Sequence, residues 1–126
     1  MLKGYLKTAA ILGMLGVILG AFASHILKDR LEEKALIIFE TGVRYLLYHV
    51  FALIAAAILY KEFPSKSMLW SCRFFIAGIV IFSGSLFVLS MVYPAFSFLG
   101  AITPIGGTSF ILGWGLLFFG IYARKS

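Results

Sequence analysis

The groups best able to do chemistry lie in one stretch, Glu40-Thr41-Gly42-Val43-Arg44-Tyr45-Leu46-Leu47-Tyr48-His49. It holds an acid, a base, two tyrosines and one of the chain's two histidines, and it runs into the apolar Val50 to Ile58. Glu40 and Arg44 are spaced i,i+4 with the acid first, the better orientation for a helical ion pair. His49 could serve as a buried neutral imidazole bonded to a hydroxyl across a helix bundle, or as a proton-relay or substrate group. His25 could close a helix C-terminus or reach Glu40. Tyr45, Tyr48 and the hydroxyls of Ser83 and Ser85 are the remaining polar candidates; the serines are expected to bond backbone carbonyls. A second stretch, Thr103-Pro104-Ile105-Gly106-Gly107, reads as a helix start with Thr103 as N-cap and Pro104 in the first turn. Its alternative is a break within a longer helix, where freed N–H groups could hold an anionic group.

The elements that position these residues follow from composition. The chain has 126 residues, of which 62% are hydrophobic and 13% charged, against about a quarter charged in soluble domains. Four apolar segments are long enough for the roughly 20 residues of a membrane-spanning helix: about 5–27, 41–60, 68–92 and 104–123, with an interfacial helical segment at about 28–40. The first carries Ala9, Gly13, Gly16, Gly20, Ala23 and Ser24 on one face, a close-packing stripe. A signal peptide cleaved after Ala21-Phe22-Ala23 is the rival, but the apolar run is long for one. The expected fold is all-α: a single-domain bundle of four antiparallel membrane helices. On a wheel of the second helix, Glu40, Thr41, Arg44, Tyr45, Tyr48, His49, Ala52, Ala55 and Ala56 form a face expected to pack inward. Val43, Leu46, Leu47, Val50, Leu53, Ile54 and Ile58 form a face expected to meet lipid. Ser71, Gly78 and Ser85 recur at heptad spacing in the third helix. Gly106, Ser109, Gly113 and Gly120 form the seam of the fourth.

Four spans put Lys3, Lys7, Lys61, Lys66, Arg73, Arg124, Lys125 and Glu62 on one side, which carries the whole net charge of +6. The other side is neutral. The positive-inside rule therefore places both termini in the cytoplasm. The basic character reflects topology and anionic headgroups, not nucleic acid.

Depth, at about 1.5 Å per residue, tests the chemistry. His49 lies about 16 Å from the cytoplasmic end of its helix, near the level of Ser83 and Ser85, whereas His25 lies about 30 Å deep. Two imidazoles at such different levels cannot ligate one haem within a chain. A metal held by His25, Asp29 and Glu40 would need a tighter cluster. The single Cys72 rules out a disulfide within the chain and a cysteine-based metal site. No nucleophile–base spacing stands out, so no catalytic residue, metal or cofactor is expected and the chain is read as non-enzymatic.

Four stretches together resemble a known family: Leu19-Gly20-Ala21-Phe22-Ala23-Ser24-His25, Thr41-Gly42-x-x-Tyr45-x-x-x-His49, Phe82-Ser83-Gly84-Ser85-Leu86, and Thr103-Pro104-Ile105-Gly106-Gly107-x-Ser109-Phe110-x-x-Gly113-Trp114. They are similar to domain-of-unknown-function family 423, the YgdD/YwdK-like small bacterial inner-membrane proteins. The chain departs at Ala23-Ser24, where the family more often has Gly-Ala. The resemblance implies a four-span helical protein of the bacterial inner membrane and supplies no reaction or ligand. The function expected is lipid or partner binding. The alternative is a transporter or channel subunit with an inward Glu40/Arg44/His49 face. Membrane lipids, a second copy of the chain or another membrane protein are the expected partners.

Overall fold

A computed structural model describes residues 2–95 and 98–123. Arg124 and Lys125, used in the charge argument, lie outside the described residues. Helix α1 (Lys3–His25) leads through a 3₁₀ turn (Leu27–Asp29) to α2 (Glu33–Leu59). The next long helix is α3 (Lys66–Gly78), a π-helical segment (Ile79–Ser83) and α4 (Gly84–Val92) in sequence, and α5 (Leu99–Tyr122) completes the bundle. Four stretches, Lys3–Asp29, Glu33–Leu59, Lys66–Val92 and Leu99–Tyr122, are long and apolar enough to cross a membrane. No strand is present among the described residues.

The helices alternate in direction, and hydrogen bonds tie their ends. Leu2 N–H donates to the Ala57 carbonyl, joining the start of α1 to the end of α2. Ser67 Oγ donates to the Leu116 carbonyl at 2.8 Å, joining the start of α3 to the last turns of α5. Ser65 caps α3 by accepting from Met68 N–H, a side-chain cap that satisfies one orphan donor of the first turn.

Three expectations are corrected. First, the stretch expected at 28–40 as an interfacial helical segment divides at Glu33: the 3₁₀ turn and residues 30–32 lie before α2, and from Glu33 onward it is part of α2 itself. Ala35 and Phe39 are buried in phase with Gly42, Val43 and Leu46, so one apolar stripe carries the helix across both stretches.

Second, the two faces of α2 are only partly as expected: His49, Ala52 and Ala56 are buried and Ile58 is exposed, but eight residues lie on the other side. Val43, Leu46, Val50 and Leu53 are buried, while Arg44, Tyr45, Tyr48 and Ala55 are exposed. The reason is α1, which packs along α2. Gly13 sits over Val50, Gly16 over Leu46 and Leu47, and Gly20 over Val43. A methyl group on Gly16 would stand 2.7 Å from Leu47 Cδ2. The small-residue stripe thus serves packing within the chain. Lipid tails are as apolar as leucine, so apolarity alone cannot tell a lipid-facing side from a packed one.

Third, Thr103-Pro104 neither starts nor breaks a helix. α5 begins at Leu99 and runs through Pro104. A proline there removes the N–H that the Gly100 carbonyl would accept. In membranes such sites are tolerated where neighbouring helices and hydroxyl side chains support the backbone. Thr103 Oγ1 lies 2.7 Å from Ser85 Oγ and also donates to the Leu99 carbonyl.

The π segment meets α5 at Gly106. A side chain there would run into the backbone N–H and Cα of Phe82, so only glycine permits the approach. Below this crossing, serine hydroxyls bond carbonyls of neighbouring helices: Ser71 to Gly113 and Ser109 to Phe74, both at 2.7 Å. Gly113 lies against the Phe75 ring, and Gly78 against the Phe110 ring. Cys72 and Phe75 are buried in the core between them.

Candidate functional site

α2 packs closely on α1, α3 and α4, and α5 packs on α3 and the π segment, but α2 and α5 make little backbone contact. Aromatic side chains fill the space between them. The His49 ring stacks face to face on Phe110, with centroids 3.5 Å apart and planes within 8°. Trp114 stands edge-on to it at 6.0 Å, and Phe75 is tilted against it at 5.8 Å. Tyr45 packs on Phe82 at 4.8 Å and extends the wall outward.

His49 is 5% exposed, and both its ring nitrogens are engaged. Nδ1 lies 2.8 Å from the Tyr45 carbonyl oxygen, one turn back on α2. Nε2 lies 3.1 Å from Trp114 Nε1. A carbonyl can only accept and an indole N–H can only donate. The proton therefore sits on Nδ1, and Nε2 receives the indole proton through its lone pair. This is one neutral tautomer, held in place from two helices. A second ring proton would oppose the indole N–H and break the α2–α5 link.

Against this floor lies a cleft of about 460 Å³ lined by Tyr45, His49, Phe82, Pro104, Gly107, Thr108, Phe110, Ile111 and Trp114. Its walls are largely rings and aliphatic groups. His49 Nε2 and the indole N–H of Trp114 already satisfy one another, and Thr108 Oγ1 donates to the Pro104 carbonyl. An occupant need supply no hydrogen bond. Concave, mostly apolar spaces of this size are where ligands are ordinarily held.

The other candidates are dispersed. Ser83 Oγ donates to the Gly42 carbonyl at 2.7 Å, and Ser85 Oγ bonds the Phe82 carbonyl and Thr103; both are structural ties between or within helices. Arg44 is exposed and donates from Nη2 to Thr41 Oγ1 at 3.1 Å. The Glu40–Arg44 pair is not formed, because the guanidinium turns back one turn to Thr41. His25 is exposed at the end of α1 and makes no bond to Glu40 among the described residues. Glu40, Arg44 and His49 therefore do not share an inward face, the feature on which the transporter alternative rested. No group of three or more His, Cys, Asp or Glu residues converges to hold a metal ion among the described residues.

Trp114 and Phe110 were missed as partners of His49, although a signal existed. Counted from the ends of their helices on the side of the termini, Trp114 lies about 12 Å deep and His49 about 15 Å. An indole N–H at that depth needs an acceptor, and an imidazole at the same level can supply it.

Comparison with known proteins agrees with this architecture. The family described as "Protein of unknown function (DUF423)" matches residues 19–107. The chain is 40% identical to the UPF0382 membrane protein YwdK of Bacillus subtilis, covering 90% of this chain and 91% of the relative. It is also 40% identical to a UPF0382 membrane protein of Haemophilus influenzae, over 97% of this chain and 96% of that one. The UPF0382 inner membrane protein YgdD of Escherichia coli K12 is 35% identical over 93% of this chain and 88% of its own length. No solved structure is significantly similar. An all-helical chain with four membrane-spanning helices and relatives of this kind over nearly its whole length is a membrane protein and belongs to the DUF423 family.

Proposed function

We propose that this small membrane protein is a non-enzymatic lipid-binding protein whose ligand occupies the α2–α5 cleft. One observation carries the reading: an aromatic-walled cleft whose floor, the Trp114–His49–Tyr45 chain of hydrogen bonds, has no polar demand left to satisfy. Such a surface suits hydrocarbon, an acyl or isoprenoid chain laid against rings. The His49 link then acts as a rigid floor that keeps α5 at a fixed distance from α2. The charge distribution supports a bacterial inner-membrane location with both termini cytoplasmic, and partners drawn from lipids, a second copy or another membrane protein, not nucleic acid.

Native mass spectrometry of the protein released from nanodiscs tests this. A lipid adduct retained by the wild-type chain and lost in Trp114→Ala is expected. A co-purifying protein in place of a lipid would assign the cleft to a partner helix instead, and a bare chain would refute ligand binding there.

A further inference from the structure

A second site lies near the ends of the bundle where α1 and α3 begin. Arg73 is exposed on the second turn of α3, yet its guanidinium is held from two directions. Nε donates to the Tyr5 hydroxyl of α1 at 3.0 Å. The guanidinium carbon stands 4.7 Å over the Trp70 ring, a cation–π contact. These two contacts use Nε and one face of the group. The Nη donors have no protein partner among the described residues. A planar fork fixed at its base, with its outer N–H groups free, matches the geometry of a phosphate. The depth also fits. Arg73 is about 10 Å from the start of α3 and Tyr5 about 3 Å from the start of α1, the level at which tryptophan and tyrosine meet headgroups. Tyr5 also lines a cleft of about 480 Å³ at the start of α1 with Leu2, Lys3, Gly4 and Thr8.

We infer that the Arg73–Tyr5–Trp70 cluster binds the phosphodiester of an anionic membrane phospholipid, with the rest of the headgroup in the cleft beside Lys3. This site is independent of the α2–α5 cleft. It differs from a diffuse positive field because the charge is oriented: the Tyr5 hydroxyl and the Trp70 face aim one guanidinium.

The test is native mass spectrometry of the full chain offered equal amounts of phosphatidylglycerol and phosphatidylcholine. Wild type is expected to retain phosphatidylglycerol about ten-fold over phosphatidylcholine, the lower end of what hydrogen bonding to a charged group contributes. Arg73→Ala should abolish the preference. Arg73→Lys keeps the charge but loses the fork, and should lose most of it. Tyr5→Phe removes one hydroxyl, should reduce the preference about two-fold, and decides the matter if the Arg73 variants do not fold. Lys61→Ala, in the turn after α2, should leave it unchanged. No preference in wild type, full preference in Arg73→Lys, or an equal loss in Lys61→Ala would overturn the inference. Displacement of phosphatidylglycerol by millimolar inorganic phosphate would reassign the site to a free anion and overturn its assignment to lipid.

Discussion

Replacing Gly106 by alanine is predicted to destabilise the protein, and Gly107 supplies the control one residue away. A methyl group on Gly106 would stand 2.7 Å from both Cα and Cβ of Phe82. Carbon atoms rest comfortably at about 3.5–4.0 Å, so α5 and the π segment must separate by about 1 Å. The obstacle is backbone, which no rotamer change can clear. A shift of that size also stretches the 2.7 Å Ser85–Thr103 and Ser109–Phe74 hydrogen bonds that span the same interface. Overpacking costs about 1–3 kcal/mol, and each interhelical bond in a membrane bundle about 0.6 kcal/mol. The expected loss is about 2–4 kcal/mol. A methyl on Gly107 meets nothing closer than 3.9 Å, and Gly107→Ala should change stability by about 0.5 kcal/mol or less. Reversible unfolding in mixed micelles, titrated with a denaturing detergent, measures both. Equal stability of the two variants would refute the claim that the π segment and α5 meet backbone to backbone.

Other outcomes follow from the same contacts. Gly16→Ala should cost less than Gly106→Ala, about 1 kcal/mol, because the leucine side chains it meets can turn aside; the same unfolding titration measures it. Ser83→Ala removes the bond to the Gly42 carbonyl and should cost about 0.6–1.7 kcal/mol, which a comparison with Ser83→Cys can check. Glu40→Gln and Arg44→Gln should show a coupling of less than about 0.5 kcal/mol in a double-mutant cycle, since no ion pair joins them; a larger value would restore the pair. In ¹⁵N-histidine spectra His49 should show a protonated Nδ1 and an unprotonated Nε2, and Trp114→Phe should shift the Nε2 resonance; the opposite tautomer would contradict the bond to Tyr45.

The spans were legible because composition and length decide them: runs such as Thr8 to Ser24 carry no charge, and few other structures could hold them. The heptad Ser71, Gly78 and Ser85 and the seam Gly106, Ser109, Gly113 and Gly120 were legible too, since small residues mark close approach and each is buried. The faces of α2 were not. Amphipathicity sorts residues between water and core, but between lipid and core Val43 and Leu46 carry no such information, and α1's glycine stripe decided the matter. The course of α5 was misread because Pro104 obeys the rule for helix starts in water. Here a bundle neighbour, through Thr103 and Ser85, supports the backbone that the proline leaves short of a bond. The candidate site was half visible. His49 was recognised as buried and bonded across the bundle, but its partner was sought among hydroxyls, and the sequence carries no trace of the π segment that brings Phe82 to Gly106.

A lipid held by the rings between α2 and α5 can be captured in place. The most direct measurement is crosslinking of cellular lipids to a photoreactive phenylalanine analogue placed at Ile111, exposed on the cleft wall, against the same probe at Ile11, exposed on α1 away from it. One lipid species crosslinked at 111, and an unselective mixture resembling bulk membrane at 11, is the predicted result. The same bulk mixture at both positions would mean that the rings hold no lipid of their own.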